Sequence, residues 1–419
     1  MKKMDKQNDK KTKWLTDKYW VTPYNFLDEI REKFILPEKV HIHDVTLREA
    51  EQAPGVVFKP EEKIALAKAL DKLGVYSMEL FPAVSVEDQE IVKQLVKMNL
   101  KAKVVCLTRC LKSDIDVVGE CGGKYIIVEG NANPWSCKAT WGINENQIIN
   151  DFVDTIKYAN KNNINVSAMP WDDFRAPLPF LERLYKSIVY EGGASRVVIS
   201  DTSGNSLPWT TTYIIKKLRK WLPEIPIEMH AHNEFGLATI DMIAAVVGGA
   251  SFVHTCINGL GNRAGNAATE EVAMILELLL GISTGIDLSK IYSTSKLVEK
   301  LTKIPVPPNK AIVGDNLFTY EAGLSIFMFQ KMKEHGRPIA YVPFVPELIG
   351  RDKYNFVLGK QSGKSSVRLK LKELGITVPE EELEEIVIKV KKEAIARKDI
   401  VPLSILKNIV DQVKSKKDS

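Results

Sequence analysis

The chain has 419 residues, of which 45% are hydrophobic and 26% charged, a composition ordinary for a soluble globular protein with one large domain and room for a smaller one. Its net charge of +5 resides in the tails: residues 1–18 carry seven Lys against three Asp, and residues 410–419 three Lys against two Asp. The near-neutral body excludes a nucleic-acid footprint, and no apolar run reaches the roughly 20 residues that a membrane span needs.

Residues 1–38 read as a basic tail followed by an aromatic arm, Trp20 to Leu36, whose Trp20, Tyr24, Phe26 and Ile30 suggest packing on the body or on another subunit. From residue 39 onward, apolar strand-like runs alternate with stretches of helical periodicity. The runs are Val40–Val45, Tyr76–Leu80, Lys103–Leu107, Tyr125–Glu129, Asn165–Met169, Arg196–Ser200, Ile227–His230 and Phe252–Ile257. Between them lie helical stretches such as Pro60–Leu73, Asp88–Met98, Glu145–Asn160 and Thr210–Leu222. Eight strands alternating with helices predict an α/β fold, a (β/α)₈ TIM barrel over residues 39–304. A doubly wound open sheet is the alternative, but its Gly-rich first turn is missing. The Pro-rich break Ile304–Pro308 then opens a mainly helical C-terminal region, residues 305–419, ending in helices over Glu380–Lys398 and Leu403–Lys414. Five cysteines at irregular spacing, Cys106 and Cys110 among them without a second pair, read as reduced thiols of a cytoplasmic protein.

In a barrel of this kind the chemistry lies at the C-terminal strand ends. Strand 1 ends in His43-Asp44-Val45-Thr46-Leu47-Arg48-Glu49, strand 2 at Glu79, and strand 6 in Asp201-Thr202-Ser203-Gly204. Strand 7 ends in His230-Ala231-His232, and strand 8 is followed by a Gly-rich loop from Asn258 to Asn266. Alternation on a strand puts His230 and His232 on one face. Such a pair is either two ligands of a divalent metal or two ordinary core or solvated imidazoles. Two histidines and a carboxylate leave positions open for a bidentate 2-oxo acid, on which the metal acts as a Lewis acid while a guanidinium stabilises the oxyanion.

These stretches resemble the DRE-TIM metallolyase superfamily, and most of all its acyl-CoA-condensing branch of 2-isopropylmalate, homocitrate and citramalate synthases. The superfamily's D-x-T-L-R-[DE]-x-E-Q corresponds to Asp44–Gln52, its H-x-H-N-[DE]-x-G to His230–Gly236, and its N-G-[IL]-G-x-R-x-G-N to Asn258–Asn266. The branch's G-K-x-S-G corresponds to Gly359–Gly363, so that the resemblance covers about residues 40 to 400. It implies that Glu49, His230 and His232 bind a divalent metal (Mg, Mn or Zn), with Asn266 a weaker fourth ligand. It further implies that Arg48 polarises the keto oxygen, that Asp44 and Glu79 hold Arg48, and that Thr202 binds the substrate carboxylate.

Two stretches depart from the pattern. Where condensing members carry a segment that sends a histidine to the partner subunit's site, this chain reads Val313 to Ser325, with Tyr320 and Ser325 in place of both histidines. Where they show a Ser-x-Glu-Asp strand end, it has Ser167 to Arg175, with Trp171 near Trp135 and Trp141 of the preceding loop. The expectation is a Claisen-type acyltransferase joining an acyl-CoA, with acetyl-CoA the expected donor, to a 2-oxo acid. Tyr320 is a candidate participant and a homodimer the expected assembly. The alternatives are a carbon–carbon lyase built on the same metal and Arg48, and a barrel kept as a binding subunit. Ending at residue 419, without the regulatory domain of isopropylmalate synthases, the chain is not expected to respond to leucine through that route.

Overall fold

The computed structural model describes residues 12–336, 339 and 342–415. Most of the basic tail lies outside the described residues. By its internal contacts the chain divides into two units. One is Pro23–Val306; the other combines the described residues up to Thr22 with those from Pro307 onward.

The first unit is a closed, all-parallel eight-stranded barrel. Its strands are β1 (His41–Asp44), β2 (Ser77–Leu80), β3 (Lys103–Arg109), β4 (Tyr125–Asn131), β5 (Asn165–Trp171), β6 (Arg196–Asp201), β7 (Ile227–Ala231) and β8 (Phe252–Thr255). Each falls on an apolar run named above, and β8 closes on β1 with His43 opposite His254. The helices obey local chemistry as well. Helix Pro60–Leu73 opens on a proline, its Glu62 accepts from the Lys59 N–H at 2.8 Å, and Gly74 ends it at φ 95°, a conformation that suits glycine. It buries Leu66, Ala67, Leu70 and Leu73, the stripe expected of 3.6 residues per turn. Each such leucine contributes about 1.5–3 kcal/mol by burial.

The barrel interior is divided. On one side Val105 and Leu107 of β3, Ile127 of β4, Met169 of β5 and Val198 of β6 form an apolar cluster. On the other, β1, β2, β7 and β8 turn His43, Ser77, Glu79, Glu228 and His254 inward, all buried. Of the aromatic arm, Pro23 onward belongs to the barrel unit. Ile35 N–H donates to Val247 O at 2.9 Å and the Arg31 guanidinium to Leu280 O at 2.8 Å. Trp20, Tyr24 and Ile30 are 40%, 70% and 52% exposed in the single chain.

The second unit centres on a cluster of Leu358, Val367, Leu371, Leu383, Ile386, Val390, Leu406, Val410 and Val413. These come chiefly from helices Lys364–Glu373, Glu380–Arg397 and Leu403–Ser415. It also holds a short parallel pair, β9 (Thr319–Tyr320) with β10 (Asn355–Phe356), which a purely helical reading of this region lacks. Among the described residues no helix is long and apolar enough to cross a membrane.

Candidate active site

The site starts at the end of β1. The Asp44 carboxylate, fully buried, accepts from Thr46 N–H at 2.9 Å and from the hydroxyls of Thr46 and Thr269 at 3.1 and 3.3 Å. This side-chain turn launches the single helical turn Thr46–Glu49, which delivers Arg48 and Glu49 as buried neighbours. Burial pushes the Asp44 carboxyl up to about 7 even against those hydrogen bonds. Among the described residues no hydrogen bond or ion pair joins Asp44 to Arg48; its oxygens accept from Thr46 and Thr269.

Arg48 instead lies between two glutamates. Its Nε donates to Glu79 Oε1 at 2.5 Å, its Nη1 donates to Glu49 Oε2, and its buried Nη2 has no partner among the described residues. Burial alone would raise the Glu79 carboxyl, but Arg48 and then His43 beside it hold it down to about 2. His43 Nε2 is 3.1 Å from Glu79 Oε2, and its Nδ1 is 2.7 Å from Ser77 Oγ. On the far side of the seam, His254 Nε2 lies 2.9 Å from Glu228 Oε2, while Ser167 and Arg196 approach Glu228 Oε1 at 2.8 and 3.3 Å. His43, Glu79 and His254 also converge closely enough for a metal, but each is committed to these hydrogen bonds.

His230 ends β7 with Ala231, and His232 follows, held by its N–H to Asp201 O at 3.1 Å. Alternation brings the two rings to one side, with Nε2 to Nε2 at 3.4 Å. Glu49 Oε1 is 3.8 Å from His232 Nε2, and ligand atoms of Glu49, His230 and His232 all lie within 4.8 Å of one another. Burial, then His232 alongside, holds His230 well below the usual imidazole range; burial and then Arg263 lower His232 to about 4. Both rings are therefore neutral at neutral pH, the form that ligates.

Asn266 joins the cluster from the loop after β8, bridging in antiparallel sense to His232. Its Nδ2 donates to Leu260 O at 3.2 Å, while its buried Oδ1 has no partner among the described residues. Gly261, at φ 150°, lets the loop pass close by: a Cβ there would collide with the Asn266 amide and stand 3.1 Å from Glu49 Cγ. A buried amide oxygen with no donor, and two facing imidazole nitrogens beside a carboxylate, fit a cation well and a purely hydrogen-bonded core poorly.

Thr202 is half-buried at the end of β6. Its Oγ1 accepts from Asp172 N–H at 2.9 Å, and its own proton has Ser200 O as a weak acceptor at 3.4 Å. No hydrogen bond joins it to the histidine cluster. Arg263 straps three strand ends together, donating to Thr202 O at 2.5 Å and to Glu234 Oε1 at 2.6 Å. Tyr320 belongs to the second unit, on β9, its ring 6.2 Å from Tyr354 and 6.1 Å from Phe356. Ser325 lies in the first turn of helix Gly323–Glu334. Trp135 and Trp141 are 80% and 56% exposed on helix Pro134–Trp141, and Trp171 ends β5.

Comparison with known proteins agrees with this architecture. Residues 39–298 match the HMGL-like family, and residues 312–398 match the homocitrate synthase post-HMGL domain-like family. A 2-isopropylmalate synthase of Methanocaldococcus jannaschii is 40% identical over 368 residues, covering 86% of this chain and 69% of the relative. The homocitrate synthase AksA of Methanothermobacter thermautotrophicus is 36% identical over 376 residues, covering 90% and 93%. Among solved structures, the HMG-CoA lyase of Bacillus subtilis shares the fold, with a TM-score of 0.57 and 22% identity over 65% of this chain and 96% of that one. The chain belongs to the HMGL-like family, and its relatives are synthases of the 2-isopropylmalate and homocitrate type.

Proposed function

We propose that the protein is a divalent-metal-dependent acyltransferase that condenses an acyl-CoA, acetyl-CoA being the donor we favour, with a 2-oxo acid. The observation that carries this reading is the unpartnered Nη2 of Arg48, a buried fixed charge beside the Glu49–His230–His232 cluster. Glu49, His230 and His232, with Asn266 weaker, would hold the cation (Mg, Mn or Zn), which when bound supplies Lewis acidity to a carbonyl and a charge that anchors the 2-oxo acid. Arg48 Nη2 donates to the oxygen that becomes negative as the new C–C bond forms. Glu79, tied back to His43, keeps the guanidinium from rotating away. The Thr202 hydroxyl, whose oxygen already accepts from Asp172, turns its proton to the substrate carboxylate. Tyr320 remains our candidate for a further participant.

The test is thiol release from acetyl-CoA and other acyl-CoAs, read with a panel of 2-oxo acids. One acid should release thiol at least tenfold above background. Cleavage of a 3-hydroxy-acyl compound with no thiol release from any pair would replace the synthase by a carbon–carbon lyase. Either chemistry suits a cytoplasmic enzyme with five free thiols.

We also propose a homodimer. Leu324, Phe327 and Met328, on one helix of the second unit, are 71%, 47% and 42% exposed, and another copy would cover them. Sedimentation equilibrium at micromolar concentration should return twice the 47.0 kDa chain mass, and a monomer would count against it.

A further inference from the structure

Condensation needs a base that takes a proton from the carbon beside the thioester carbonyl. An imidazole is the usual choice, but the chain has only six histidines. His230 and His232 are claimed by the cluster, and His43 and His254 by the hydrogen bonds to Glu79 and Glu228. His41 begins β1 at the opposite end of the barrel, its ring 4.3 Å from Tyr76 and 4.7 Å from Phe252. His335 closes a helix of the second unit. The base is therefore to be sought among the carboxylates.

Most carboxylates at the strand ends are already engaged. Asp44 accepts from Thr46 and Thr269, and Glu79 from Arg48. Asp172 pairs with Arg175, and Asp173 accepts from Tyr185. Asp201 closes a turn through Ser206 N–H, and Glu234 pairs with Arg263. Glu129 differs. Among the described residues no donor reaches its carboxylate.

Its position follows from the strand. Ile127, two residues earlier on β4, belongs to the apolar cluster inside the barrel, so alternation turns Glu129 inward as well, one step nearer the mouth. The register agrees: Glu129 pairs with Met169 of β5, another member of that cluster. Glu129 is half-buried. Burial pushes its carboxyl above the usual range; Arg48 draws it back and Glu79 adds to the rise, so it lies within electrostatic reach of the guanidinium that serves the substrate.

We propose that Glu129 is the catalytic base of the condensation. The inference rests on the synthase reading above. The Glu129 carboxylate takes the proton from the α-carbon of the acyl-CoA, and the electron pair left on that carbon forms the bond to the keto carbon of the 2-oxo acid. The keto oxygen, facing Arg48, receives the negative charge and then a proton. Water then cleaves the thioester, releasing free thiol and a second carboxylate.

The test uses the full-length, metal-loaded protein and the acyl-CoA and 2-oxo acid that give the highest wild-type thiol release. Glu129→Gln keeps shape and removes the base. It should keep metal content, melting temperature and the KM for the 2-oxo acid within threefold, and lose on the order of 10²–10⁴ in kcat, the scale of general-base catalysis. Glu129→Asp draws the carboxylate back by one methylene and should recover part of that loss, about tenfold or more. Turnover of Glu129→Gln within threefold of wild type overturns the proposal. So does a raised KM with kcat unchanged, because Glu129 would then only help bind substrate. A wild type that releases no thiol from any pair, whether or not it cleaves a 3-hydroxy-acyl compound, overturns the synthase reading itself, and the proposal with it.

Discussion

His230→Ala and His232→Ala are each expected to strip the protein of its divalent ion and, with it, of measurable turnover. The two rings face each other at 3.4 Å, and the third donor is the carboxylate of Glu49, one of whose oxygens already accepts from Arg48. Removing either imidazole leaves one ring, that shared carboxylate and the neutral amide of Asn266. Nothing else in the cluster can substitute. Losing a group that merely orients a ligand lowers metal affinity by roughly 10–100-fold, and losing the ligand itself should exceed that. Elemental analysis of dialysed protein should show about one ion per chain in the wild type and little in either variant, with melting curves to confirm that both are folded. Full retention of metal in both would remove the site.

The second large effect is expected from Arg48→Lys. Arginine can serve three directions at once: Nε donates to Glu79, Nη1 to Glu49, and Nη2, without a partner among the described residues, is left for the oxygen that the proposed chemistry makes negative. A lysine ammonium is a single point and cannot hold both glutamates while donating to substrate. The variant keeps a positive charge between two carboxylates, so fold and metal should survive. Turnover should nonetheless drop on the order of 10²–10³, the scale for losing one oxyanion donor. Because the oxyanion forms in either direction of the C–C chemistry, the result does not depend on whether synthesis or cleavage is the physiological course. A loss below about tenfold with metal intact would reduce Arg48 to a structural partner of Glu79.

Much of the barrel was legible because its signals are periodic. Helix Pro60–Leu73 runs over the stretch read from apolar spacing and a leading proline, and β7 carries His230 and His232 to one side because strand side chains alternate. What escaped was not periodic. The local turn that brings the Asp44 carboxylate to the Thr46 N–H is one such feature, which spacing does not encode. The pair β9 and β10 is two residues long in each strand, too short for any period to register. Glu129 was hidden by the strand itself. It closes an apolar run next to a polar loop and so does not stand out, although its inward orientation follows from Ile127. The inward network of His43 and His254 was not read from the sequence; its signal is a histidine within each of two strands buried on both faces.

That network bears on how the barrel comes together. Glu79 draws its counter-charge from Arg48 and its second contact from His43, both supplied by β1 and the turn after it. Glu228 draws on Ser167, Arg196 and His254, all contributed by the run from β5 to β8. Each buried carboxylate is thus satisfied by strands close to it in sequence. The last and most distant pairing, β8 onto β1, brings the rings of His43 and His254 to 4.4 Å and places the Thr269 hydroxyl on the Asp44 carboxylate. Closing a contact over such a separation carries the largest entropic penalty of the topology. Here Glu79 and Glu228 each have a counter-charge on their own side of the seam, Arg48 and Arg196, so neither waits for the circle to be joined.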